Sequence, residues 1–156
     1  MMELDVLIEK LNRKILSTDS GFEKLDIKDL TPAEHSLLEK YKPGISLIIY
    51  GSLAPGRSNH SEVEHIKGEW RKGIVKGKLL KLGWGAAEGY LAFQHTQTDE
   101  QKNIEAFVLF SEEFINNWPR LDEFEGDDYR RILARYELDN GATGIGNIYA
   151  INPVLQ

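Results

Sequence analysis

The chain has 156 residues, 41% hydrophobic and 28% charged, with a formal net charge of −6 and no cysteine. That length holds one domain with a real core, and the composition fits neither a disordered chain nor a membrane protein. The missing cysteines exclude disulfides, thiolate zinc sites and a cysteine nucleophile, and the acidic balance argues against nucleic acid as the main partner. No apolar run approaches the length of a membrane span, and MMELDVLIEK lacks the basic-then-apolar order of a secretory signal, so a cytoplasmic location is expected.

Leu4, Leu7, Ile8, Leu11 and Ile15 recur at helical spacing and predict an amphipathic helix over residues 3 to 16. A second helix begins at TPAE, where Thr31 caps, Pro32 takes the first helical position and Glu34 reaches back to the cap's amide. Pro43 and Gly44 stop it. Residues 1–44 thus form a helical extension in which nothing points to chemistry.

From Ile45 the texture changes to short apolar runs punctuated by glycine, predicting strands near 45–50, 70–75, 77–82, 89–93, 104–110, 129–138 and 144–150. The last two flank DNG, where Asn140 and Gly141 accept the positive φ values of a hairpin turn. Only SEEFINNWPRLDEFEG interrupts with helical spacing. Ser111 is its cap, Phe114, Ile115, Trp118 and Leu121 form its apolar stripe, and Pro119 breaks it into two short helices.

Residues 51–58 read G-x-x-x-x-G-R-S, one residue from a phosphate-binding loop. The missing residue is the lysine, whose slender point charge a guanidinium does not replace, and no long helix follows. Two readings of the loop stay open. Gly51 lets successive N–H groups point at one anionic group such as a carboxylate, or the glycines merely satisfy a turn.

In LDEFEG, Glu125 lies four residues after Leu121 and projects from nearly the same helical face, while Asp122 and Glu123 point toward solvent. Beside Trp118, Leu121 and Phe124, desolvation would raise its pKa and make it a usable base near neutral pH. The alternative is a helix-end glutamate that snorkels to water before Gly126. His60 and His65, with Glu62 and Glu64 between them, are spaced one residue too far for the two-histidine zinc pattern and form a loop-face pair, so no metal is expected. Arg131 and Arg135 share a strand face with Tyr129 and read as a solvated stripe. Trp70, Trp84 and most tyrosines read as core or rim.

Taken in order, YGSL after an apolar strand, then G-x-x-N-H, V-x-G-x-L, and LDEFEG followed by Y-R-R, resemble the γ-glutamylcyclotransferase-like family over about residues 45 to 150. The resemblance implies an α+β fold, a small mixed β-barrel with short packed helices and a cavity at one side, using no metal or organic cofactor. It divides the chain into the N-terminal helical extension, 1–44, and a γ-glutamylcyclotransferase-like domain, 45–156. It also implies a small-molecule γ-glutamyl substrate, cleaved to 5-oxoproline and a free amine. On the matching positions, Tyr50, Gly51, Ser52 and Leu53 would bind the glutamyl α-carboxylate, Glu125 would be the catalytic acid–base, and Tyr129 would line the pocket. Ala106 stands near the position of a family glycine. A non-catalytic domain that binds a small acidic metabolite on the same barrel is the alternative, and neither the leaving amine nor the oligomeric state is specified.

Overall fold

The computed structural model describes residues 2–18, 21–95 and 101–153. Two helices open the chain, α1 (Met2–Leu16) and α2 (Pro32–Tyr41). The capping box at α2 forms as its sequence implies: Thr31 Oγ1 accepts from the Glu34 N–H, and Glu34 Oε1 accepts from the Thr31 N–H at 2.8 Å. Glu34 is fully buried, and Lys14 of α1 donates to it at 2.5 Å. Thr31→Ala should therefore cost about 1 kcal/mol in urea unfolding, and an unchanged midpoint would show the cap idle.

Six strands follow: β1 (Ser46–Ile49), β2 (Glu69–Leu80), β3 (Ala92–Gln94), β4 (Lys102–Phe110), β5 (Tyr129–Leu138) and β6 (Thr143–Ile151). Five close a mixed barrel in the order β1, β4, β2, β5, β6 and back to β1, and every pairing is antiparallel except β1 with β6. The sixth, β3, lies outside and bridges β2 and β6. The fold is α+β, as expected.

β1 is buried at every position because it packs on both faces. Ile48 joins the larger core cluster with Val75, Val108, Ile132 and Ile148, whereas Leu47 and Ile49 point to a second cluster with Phe114, Trp118, Leu121 and Tyr149. The helical extension belongs to the first cluster through Ile8, Leu11, Ile15 and Leu37. Asn12 of α1 also pairs with the Leu133 backbone of β5, donating to its carbonyl and accepting from its N–H, each at 2.9 Å. A buried amide with both groups satisfied anchors the helix in register.

Several local expectations change. The runs 70–75 and 77–82 form one continuous strand, β2. Gly77 does not break it but admits β3, since a Cβ there would fall 2.3 Å from the Phe93 ring. The segment expected as a strand from 89 begins at Ala92, after a 3-10 helix over Trp84–Glu88. In the β5–β6 hairpin Gly141 alone takes positive φ, +90°, and the N–H of Leu138 bonds the Ala142 carbonyl. A three-residue loop with glycine at the left-handed position therefore replaces the two-residue turn.

The interrupting segment does form two short helices, a 3-10 helix at Glu112–Asn116 and α3 (Trp118–Glu125), with Ser111 capping the first. Pro119 sits in the first turn of α3, starting the helix where its missing N–H costs nothing. Within the stripe, Phe114, Trp118 and Leu121 are buried, but Ile115 is 75% exposed, because a 3-10 turn rotates it off the face an α-helix would give it.

Candidate active site

α3 positions the acid. Trp118 and Leu121 are buried beneath it, and Glu125, one turn beyond Leu121, reaches a cleft walled by Tyr50, Gly51, Ser52, Leu53, Trp84, Tyr90, Tyr129 and Tyr149. All six sequence-derived site positions meet there. The cleft measures ≈ 450 Å³ out to its mouth.

Glu125 is half-buried, and among the described residues nothing hydrogen-bonds or ion-pairs its carboxyl group. Burial, with the charge of Asp122 one turn earlier as a smaller contribution, pushes its pKa up to about 8. Its carbonyl is held by Trp84, whose Nε1 donates to it at 2.7 Å. The Trp84 ring packs edge-on against Phe124 and Tyr129, with centroids 5.5 and 6.0 Å apart. An indole wall thus excludes water from one side of the acid.

The loop after β1 is braced from behind. Asn59 donates its backbone N–H to the Ser52 carbonyl and its side-chain amide to Ser52 Oγ, both at 2.9 Å, and His60 Nδ1 donates to the Leu53 carbonyl at 2.9 Å. The loop's own turns use the N–H groups of Ala54 and Arg57. Those of Gly51, Ser52 and Leu53 have no protein acceptor among the described residues. Nor does the turn require glycine at 51: its φ is not positive and a Cβ would meet nothing within 4 Å, whereas Gly56 takes φ +80°. Of the two readings of the loop, the plain turn leaves Gly51 without a reason.

The tyrosines divide by role. Tyr50 lines the cleft, but its hydroxyl donates to the Tyr149 carbonyl at 2.7 Å and accepts from the Phe93 N–H at 2.8 Å, holding β3 onto the barrel. Burial drives its pKa far upward. Tyr129 accepts from the Gly85 N–H at 3.3 Å and walls the cleft with its ring.

Two side chains expected in solvent are not there. Arg131 is 4% exposed, and Asp122 is half-buried, because the two form a bidentate pair, Nε to Oδ1 at 2.9 Å and Nη2 to Oδ2 at 3.1 Å. Tyr149 also donates to Asp122 at 2.6 Å. β5 is buried on both faces from Arg131 to Ala134, because α3 and the helical extension cover the face that a lone strand would leave wet. His60 is bound to the loop and Glu62 to Arg120, and among the described residues no group of three or more His, Asp or Glu is arranged to hold a metal. Trp84, Gly85, Tyr90, Leu91 and Tyr149 line the cleft without any sequence motif to mark them. The one available signal was an aromatic between two glycines in GWG.

Barrel closure thus sets a desolvated carboxyl and a glycine-containing loop in one cleft. Residues 47–156 match the family model described as gamma-glutamyl cyclotransferase, AIG2-like, and the chain belongs to that family. Among solved structures it is similar to YkqA from Bacillus subtilis, with 25% identity and a TM-score of 0.52 over 69% of this chain and 36% of that one. The chain therefore spans about a third of YkqA. It is also similar to At5g39720.1 from Arabidopsis thaliana, with 17% identity and a TM-score of 0.50 over 72% and 74% of the two chains. An AIG2-like protein from Mus musculus aligns at 19% identity and a TM-score of 0.47, over 68% and 76%. No curated protein matched. No helix among the described residues is long and apolar enough to cross a membrane.

Proposed function

We propose that the protein is a γ-glutamyl cyclotransferase that converts a γ-glutamyl amine or peptide to 5-oxoproline and a free amine. The observation that carries this reading is the unpartnered Glu125 carboxyl, its pKa pushed up to about 8, in the same cleft that Gly51, Ser52 and Leu53 line. Family membership supports it.

A γ-glutamyl substrate carries its own nucleophile, the α-amine, and its own electrophile, the γ-carbonyl, on one flexible chain. Folding that chain into a five-membered ring gains high effective molarity, so no protein nucleophile is needed. The α-amine in its neutral form attacks the γ-carbon, forming the ring C–N bond, and gives one of its two protons to the Glu125 carboxylate. The tetrahedral intermediate then collapses, the C–N bond to the leaving amine breaks, and Glu125 returns the proton to that nitrogen. Water is not consumed, and an aromatic wall that keeps it out prevents hydrolysis. The amides of residues 51–53 anchor the α-carboxylate in place of water.

Gly51→Ala tests the anchor. Its methyl group would enter open space, so the unfolding midpoint should stay within ~0.5 kcal/mol of wild type, while KM for a γ-glutamyl substrate should rise about tenfold or more. Unchanged KM would remove the loop from substrate binding. Release of 5-oxoproline from γ-glutamyl amino acids, γ-glutamyl amines, γ-glutamyl-ε-lysine and glutathione tests the reaction itself. Saturable binding without release would make the protein a binding module for small acidic metabolites.

A further inference from the structure

The Arg131 guanidinium spends all five of its N–H donors. Nε and Nη2 bind Asp122, Nη1 binds Asn147 Oδ1 at 3.0 Å, and Nη1 and Nη2 reach Glu23 at 3.0 and 2.5 Å. Trp118 lies 4.2 Å from its Cζ, and Gly21 packs so closely that a Cβ would fall 2.4 Å from the same atom. Glu23 and Gly21 precede the family-matched residues 47–156. The helical extension therefore reaches under the site and closes over Arg131, which pairs with Asp122, the residue one turn before Glu125.

We propose that Glu23 is a positioning residue for Glu125: through Arg131 it holds Asp122 in place and supplies the second negative charge of the network behind the cleft. The inference rests on the assignment of Glu125 as the acid–base. With Glu23 present, one cation is shared between two carboxylates, leaving a net negative charge at the base of α3. Remove the Glu23 charge and Arg131 neutralises Asp122 alone. The other titratable side chains lining the cleft with Glu125 are Tyr50, Tyr90, Tyr129 and Tyr149, and burial pushes the hydroxyls of Tyr50, Tyr129 and Tyr149 further from ionisation. The Glu23–Arg131–Asp122 triad is thus the adjustable charge near the acid, and less negative charge behind it favours the ionised carboxyl.

Titration of Glu125 by carboxyl-carbon NMR, with its signal identified by loss in Glu125→Gln, reads this directly and needs no turnover. Failure of the cyclotransferase reading and failure of this inference are then separate results. Glu23→Gln keeps the shape and removes the charge, and should lower the Glu125 midpoint by roughly half to one pH unit. Glu23→Asp keeps the charge and should leave the midpoint at the wild-type value. The Glu23 side chain is 34% exposed, so water can reach Arg131 when it is shortened. Glu23→Ala is therefore a second neutral variant expected to fold and to shift in the same direction. An unmoved midpoint in both neutral variants, or an equal shift in Glu23→Asp, would overturn the proposal, the latter by showing that shape and not charge matters. If 5-oxoproline is released, the acidic limb of kcat/KM should move with the NMR midpoint.

Discussion

Glu125→Gln is expected to cut 5-oxoproline release by at least about 10²–10⁴-fold while leaving a folded and more stable protein. The amide has the shape of the protonated acid but can neither take the α-amine's proton nor return it. In the free protein the acid has a pKa pushed up to about 8, so the acidic limb of kcat/KM should lie near that value.

The stability effect has a definite sign. A carboxyl with a raised folded-state pKa contributes its full stability below the unfolded value, near 4.5, and loses it as pH rises to about 8. Glutamine does not titrate. Wild type and Glu125→Gln should unfold alike at pH 4, and by pH 8 the variant should be the more stable by ~2–4 kcal/mol. Parallel stability curves across that range would mean the carboxyl is solvated, and would remove the reason for its reactivity. Wild-type turnover by the variant would sink the mechanism.

Arg131→Ala should be the most damaging single change to the fold, costing about 3–5 kcal/mol in urea unfolding. It strands Asp122 and Glu23, leaves Asn147 Oδ1 without the Nη1 donor, and opens a gap against Trp118. The two carboxylates are 30% and 34% exposed, so water relieves part of the penalty and places the loss toward the lower end. Arg131→Lys should recover less than half of it, because an ammonium cannot serve three acceptors in one plane or lie flat on an indole. A cost below ~1 kcal/mol for Arg131→Ala would place Arg131 among ordinary surface ion pairs.

The helical period of α1, the capping box at Thr31 and Glu34, and the spacing of Leu121 to Glu125 are all properties of short windows. Local geometry sets them, and the sequence alone carries them: 3.6 residues per turn puts Glu125 over Leu121 whatever surrounds the helix. The ordered motifs from YGSL to LDEFEG, together with the family resemblance, singled out Glu125 and residues 50–53, which line one cleft. The remaining features lay beyond any local window. Arg131 and Asp122 looked solvated because a strand or helix seen alone has an outer face; the partners that cover them come from Glu23, 108 residues away, and Tyr149, 27 residues away. Trp84 became a cleft wall only when its segment folded back across 41 residues to Glu125. The residues that line and bury the acid are distant in sequence, and barrel closure brings them together. Sequence named the carboxylate, and tertiary packing decided that it is desolvated, unpartnered and backed by a second charge.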